Sequence, residues 1–252
     1  MSYYVKVLAG FIVLDLYLHV GIANANQFWL QILLILLFFP LLKGILIVTK
    51  VKAFKNIGIT FHPKWIKNGM LGFAIGFSFW LALFAFQYLL NGFDIIEITP
   101  FPQLLVPLIM IMLTFLIGSF LNDIIVRGYV FGHLKGKVSL KWVFLISLVI
   151  YVLDDAWNEG FSLENMLFSL VLGLSLTYTI YKTGSIWATT GIHWGLNVCY
   201  GIFNGPLGSS GEGIVLIKNQ SATFITQSIS NIIPLLMFLF IILIRSKFEK
   251  IS

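Results

Sequence analysis

Charge is scarce in this sequence. Asp, Glu, Lys and Arg make up 10% of its 252 residues, well under half of the roughly 25% usual in soluble domains. With 59% hydrophobic and 16% aromatic residues, the chain has more apolar surface than a soluble domain of this size can enclose. The excess must face lipid. A soluble enzyme, a nucleic-acid binder and a disordered chain are excluded, although the net charge is +6. The bilayer is an expected partner and nucleic acid is not. The single cysteine, Cys199, cannot form an intramolecular disulfide or a paired-cysteine zinc site. His19, His62, His133 and His193 include no His-Glu-x-x-His run, so the usual zinc-protease helix is absent too.

Long apolar runs are what the sequence does have. A helix needs about 20 apolar residues to cross the bilayer core. Eight stretches qualify: 5–23, 28–49, 69–90, 104–131, 139–156, 163–182, 185–203 and 224–244. The expected fold is therefore all-α, a polytopic bundle of about eight spans, with residues 1–252 forming one integral membrane domain. Lysine and arginine give the orientation. Lys50, Lys52, Lys55, Lys64 and Lys67 follow span two. Lys135, Lys137 and Lys141 follow span four, Lys182 follows span six, and Arg245, Lys247 and Lys250 lie in the tail. The opposite loops hold Lys218 beside Asp94, Glu97, Glu159, Glu164 and Glu212. This alternation places both termini in the cytoplasm.

Two segments admit competing readings. Lys6, a short apolar run and Ala23-Asn24-Ala25 imitate a signal peptide. Asp15 and His19 interrupt that run, however, and its removal would misorient the next span, so a retained helix is expected. The 50–67 segment carries Phe54, Ile57, Ile59, Phe61 and Trp65 among its lysines. It suits either a helix lying on the cytoplasmic lipid surface or a positively charged loop.

The informative residues are polar ones inside apolar helices, where ionisable groups are costly and usually functional. In span four, Asp123 and Arg127 stand four apart on one face and can pair, beside Asn122. Alone, Arg127 would read as a snorkelling side chain at a helix end. Span five ends in Asp154-Asp155, which either mark its outer end, with Trp157 in the aromatic belt, or belong to a site. Adjacent carboxylates diverge on a helix, so one of the two is expected to face the interior. Span seven holds His193 and Asn197, again four apart, in a position that demands a partner helix or a wet cavity. At 1.5 Å per residue these groups lie about 12–24 Å from the cytoplasmic helix ends, close enough in depth to converge. Asp15 has no assigned role.

These residues resemble the CPBP family, the CAAX-protease and bacteriocin-processing (Abi) membrane proteins related to type II CAAX prenyl endopeptidases. That family shows Glu-Glu-x-x-x-Arg in one helix, Phe-x-x-x-His in the next, and His-x-x-x-Asn two helices later. The sequence reads Asn122-Asp123-Ile124-Ile125-Val126-Arg127 followed by Gly128-Tyr129-Val130-Phe131, then Tyr151-Val152-Leu153-Asp154-Asp155. Last comes Lys182-Thr183-Gly184-Ser185-Ile186-Trp187 leading into His193-x-x-x-Asn197. A glycine-rich run, residues 205–211, resembles the family's downstream loop. The family-like core spans 104–215.

The resemblance implies an intramembrane endopeptidase that cleaves a peptide or membrane-protein substrate between spans four, five and seven, in a bacterial plasma membrane. In the family the first glutamate and the second-motif histidine activate water, while the later His and Asn hold the oxyanion or orient the water. Carried over by position, Asn122 replaces the first glutamate, Asp123 the second, and Asp155 the histidine. Arg127, His193 and Asn197 are unchanged. Asn122 cannot accept a proton, so the pattern equally suits a catalytically inactive member that binds a membrane partner as a scaffold or immunity protein. No cofactor is implied, although Asp123, Asp155 and His193 would form a ligand set for a divalent metal if they converged. A transporter has only the intramembrane charges in its favour, without broken-helix pairs or repeats. Gly208-Ser209-Ser210-Gly211 fits the rhomboid nucleophile motif only superficially, and no Gly-x-Gly-Asp run supports a presenilin-type protease.

Overall fold

The computed structural model describes residues 2–51, 53–205, 213–221 and 223–249, with the side chains of 158 and 159 set aside. Eight long helices carry the chain: α1 (Tyr3–Ile22), α2 (Phe28–Val48), α3 (Trp65–Leu89), α4 (Leu105–Leu134), α5 (Leu140–Asp154), α6 (Leu163–Thr183), α7 (Ile186–Asn204) and α8 (Phe224–Leu243). Each coincides with one predicted apolar stretch to within a few residues. The all-α bundle follows directly from the sequence pattern.

Six of the eight, all but α5 and α7, are long and apolar enough to cross a membrane by length and composition. The two others differ for physical reasons. Helix α5 has 15 residues and ends at the paired aspartates, followed by a short helical turn, Ala156–Glu159. Helix α7 carries Thr189, Thr190, His193 and Asn197, and protein rather than lipid surrounds it: 11 of its residues are buried. Outward positions on the other helices are strongly apolar and bare, as at Leu8 (60% exposed), Leu36 (62%) and Val106 (70%). A surface of that kind needs lipid. This is an integral membrane protein.

The helix ends sort into two faces, as alternating crossings require. On one face the Tyr3 hydroxyl donates to the His133 carbonyl (3.3 Å), and Lys137 Nζ sits 3.4 Å from the Tyr3 ring centroid. There too Lys64 Nζ donates to Glu249 (2.8 Å), and Asn68 exchanges two hydrogen bonds with the Glu249 backbone. On the other face, the α3–α4 and α7–α8 connections pair as antiparallel strands β1 (Phe93–Ile98) and β2 (Val215–Asn219). Asp94 opposes Lys218, and a bulge lies between Ile95 and Glu97. The sequence pattern does not reveal this two-stranded sheet, because its strands are separated by four helices.

The 50–67 segment is neither a free loop nor a surface helix. Its 3₁₀ turn, Phe54–Ile57, inserts between helix ends with Ile57 fully buried. Gly128 and Gly132 leave the space for it, since a Cβ at either would meet the Ile57 or Asn56 carbonyl at 2.5 or 2.7 Å. Gly58 accepts a hydrogen bond from Ile186 N, and Thr60 accepts one from Trp187 Nε1 (2.8 Å). The Lys182–Trp187 motif thus has a structural role. Gly184 takes the left-handed conformation (φ 74°) that closes α6, Ser185 caps α7, and the resulting tight turn locks onto residues 58–60.

Candidate functional site

Helix α4 delivers the first pair. Its Ile124–Tyr129 stretch is a π-helical segment, a wide turn often found at functional sites. Arg127 sits within it and donates a hydrogen bond to Asp123. Neither side chain has any solvent exposure. The guanidinium also lies 4.3 Å from the Tyr151 ring centroid on α5, a cation–π contact strengthened by the absence of water. Arg127 Nε and Nη2 have no hydrogen-bond partner among the described residues, so the fork retains unused donors facing this region. A dehydrated ion pair of this kind holds only because each charge compensates the other.

Helix α7 delivers the imidazole. His193 Nδ1 lies 3.4 Å from Asp123 Oδ1, with 12% of the side chain still exposed. One turn further, Asn197 Nδ2 donates to Ser119 Oγ on α4 (3.1 Å), and Trp194 Nε1 donates to the Met112 carbonyl (2.9 Å). The rotation of α7 is set from behind by glycines. Gly72 and Gly76 on α3 face Gly191 and Gly195 on α7, and a Cβ on any of the four would meet backbone oxygen at 2.0–2.4 Å. Such small-residue stripes let membrane helices approach backbone to backbone. Residues two apart differ by about 200° around a helix, so packing Gly191 and Gly195 on α3 turns His193 and Asn197 toward α4.

A second polar group lies on α1, α4 and α5. Asn122 Nδ2 donates to Asp154 Oδ2 (2.7 Å), and the other Asp154 oxygen lies 3.2 Å from His19 Nε2. Asp15 Oδ1 is 3.8 Å from the same nitrogen, while Trp157 Nε1 donates to Asp15 Oδ2 (3.3 Å). The His19 ring stacks on Trp157 at 5.5 Å with planes 7° apart. His19 also sits in a π-helical segment, Tyr17–Ile22. A cavity of about 120 Å³, lined by Phe11, Asp15, Ile150, Leu153, Asp154 and Trp157, opens beside this group.

The six residues expected from sequence are therefore distributed. Asp123, Arg127 and His193 meet directly, and Asn197 reaches the same helix contact through Ser119. Asn122 turns away to Asp154. Asp155, expected from the motif spacing to face Asp123, instead accepts a hydrogen bond from Ser169 on α6 (2.5 Å); the inward-facing member of the aspartate pair is Asp154, 5% exposed. The metal set suggested for Asp123, Asp155 and His193 is consequently not assembled. Among the described residues the ligand-bearing group that gathers is Asp15, His19 and Asp154. The i,i+4 spacing of Asp15 and His19 was its signal in the sequence, but their partner sits on a distant helix. The glycine-rich run beyond Gly205 lies outside the described residues.

Fold and site together define a polytopic α-helical membrane protein with a dehydrated carboxylate–guanidinium–imidazole centre between two packed helices. Residues 104–199 match the family model described as type II CAAX prenyl endopeptidase Rce1-like. This stretch, less than half of the chain, is similar to a CAAX-protease-type domain. It contains the Asp123–Arg127–His193 centre and Asn197 but not α1, with Asp15 and His19. Neither a curated protein nor a solved structure gave a match.

Proposed function

We propose that this protein is an intramembrane endopeptidase of bacterial plasma membranes, with the lysine-rich face and both termini in the cytoplasm. It hydrolyses a peptide bond in a peptide or membrane-protein substrate between α4, α5 and α7. The observation that carries this reading is the 3.4 Å approach of His193 Nδ1 to Asp123 Oδ1, inside a helix contact matched to an endopeptidase family. Arg127 anchors Asp123 by charge and hydrogen bond, and the Asp123 charge, 3.4 Å from Nδ1, holds the imidazole in place. His193 Nε2 is then the group that takes a proton from water as the water attacks the carbonyl carbon, and that returns the proton to the leaving amine. The imidazolium formed between these steps lies against the carboxylate, where it is stabilised. Asn197 Nδ2, once released from Ser119, is a donor for the developing oxyanion. In this scheme His193 takes over the base role that Asn122 cannot fill.

A second reading is supported by that same Asn122. Its amide is committed to Asp154 and Asp155 is committed to Ser169, so the positions of the family's two water-activating residues are occupied by internal bonds. On this reading the protein binds a membrane partner, as a scaffold or immunity protein, and does not cut.

Labelling of new protein N-termini in membranes separates the two. Cells expressing the wild-type protein are compared with cells expressing His193→Ala or Asp123→Asn at equal membrane levels. The endopeptidase reading expects a small set of cleavage products that fall by about 100-fold or more in both variants, the usual effect of losing a general base. Identical N-termini in all three cell lines would contradict cleavage and favour the binding reading.

A further inference from the structure

We propose that Asp15, His19 and Asp154 form a binding site for a divalent transition-metal ion of the zinc or manganese class, built by α1 and the outer end of α5. None of the three takes part in the chemistry proposed for Asp123 and His193, and two of them lie outside the 104–199 family match. The inference stands on its own.

Geometry is the first support. One ligand atom from each residue lies within 4.8 Å of the others. His19 Nε2 is 3.2 Å from Asp154 Oδ1 and 3.8 Å from Asp15 Oδ1. A tetrahedral ion with bonds of about 2.0–2.2 Å separates its ligand atoms by roughly 3.4 Å, so the group needs only small adjustments to close on a cation. The side chains already point at one place.

Orientation is the second. Each carboxylate has one oxygen held by a neighbour and the other turned inward. Trp157 Nε1 holds Asp15 Oδ2, and Asn122 Nδ2 holds Asp154 Oδ2. Trp157 also stacks on the His19 ring and fixes its plane. Donors of this kind are the usual outer support of a metal site. The inward Asp15 Oδ1 is buried and has no hydrogen-bond partner. Asn122, 8% exposed and aimed at Asp154, likewise leaves its Oδ1 unpartnered. An unpartnered buried carboxylate oxygen beside a second carboxylate and an imidazole suits a cation or a cation-bound water.

Charge and access complete the case. Two carboxylates and one imidazole suit a first-row divalent ion better than calcium or magnesium, which favour all-oxygen shells. A divalent ion also compensates two carboxylates that lie within an apolar bundle. The adjacent 120 Å³ cavity leaves room for an open coordination position, filled by water or by an acidic group of a ligand.

Binding is tested directly on the full-length protein in detergent after chelator treatment. Cobalt(II) is titrated by its visible absorption and zinc by calorimetry, so the readout does not depend on cleavage. The proposal expects one equivalent bound, with affinity falling at least 10-fold in His19→Ala and Asp154→Asn. It also expects a fall of about 10-fold to 100-fold in Asn122→Ala and Trp157→Phe, the range for loss of outer support. The last variant keeps all three ligands and serves if His19→Ala does not fold. His62→Ala, in the connection before α3, is expected to bind like wild type. Absence of stoichiometric binding, or binding insensitive to His19 and Trp157 but lost in His62→Ala, overturns the site.

Discussion

The two polar centres of the bundle are built from similar groups yet closed in different ways. At Asp123 a carboxylate meets a guanidinium and an imidazole, with both members of the ion pair sealed from solvent. At Asp154 two carboxylates share one imidazole, no lysine or arginine pairs with them among the described residues, and a cavity adjoins them. Both are served by a π-helical turn, one carrying Arg127 and the other His19. The contrast shows what the internal arginine does. It lets a carboxylate remain buried and fixed, whereas the centre without an arginine adjoins a cavity.

The sharpest way to break this comparison is to remove the internal cation. Arg127→Ala leaves Asp123 buried without compensation, at an expected cost of about 3–5 kcal/mol, read as a large fall in the thermal unfolding midpoint in detergent. Gly191→Val places side-chain atoms where the Gly69 carbonyl lies 2.1 Å from an added Cβ. Separating α3 from α7 in this way is expected to cost about 1–3 kcal/mol and to lower cleavage further by turning His193 off Asp123. By contrast, His19→Ala at the open centre is expected to cost about 1 kcal/mol, the worth of an ordinary hydrogen bond. If His19→Ala destabilised as much as Arg127→Ala, the second centre would be a structural ion cluster and the comparison would fail.

The smallest effect belongs to the exposed tail. Glu249 has its carboxyl pKa held below the ordinary 4.5 by a hydrogen bond from Lys64, by the Lys64 charge and, behind it, by Lys67. A depressed carboxylate supports the folded arrangement above its unfolded pKa and loses that support as pH falls through the lowered value. Hydrogen exchange of the 245–249 segment, corrected for intrinsic rate, is therefore expected to rise slightly between pH 6 and pH 3. Glu249→Gln should remove that dependence without moving the unfolding midpoint.

Much of this architecture is legible in the sequence, because lipid imposes a rule that local composition obeys. Every apolar stretch became a helix. The Asp123–Arg127 pair was legible for the same local reason, its i,i+4 spacing. What escaped depends on rotation and on distant partners. Motif spacing pointed to Asp155, but the residue facing Asn122 is Asp154, a difference of about 100° around the helix that no single-helix pattern resolves. The pairing of Asp15 and His19 with α5 needed the third dimension. So did the hairpin, whose strands are joined only through α4 to α7. The glycines carry a readable signal: Gly72 and Gly76, like Gly191 and Gly195, stand four apart as membrane helix contacts favour.

The Asp123–His193 pair is proposed to cut peptide bonds. Its most direct test reconstitutes the protein in liposomes with a substrate identified from the N-terminal comparison, and measures the initial cleavage rate of wild type against His193→Gln. Gln retains size and hydrogen bonding but cannot take up a proton at neutral pH. A fall of about 100-fold or more, with the thermal unfolding midpoint preserved, is the predicted result. An unchanged rate in His193→Gln would contradict the account.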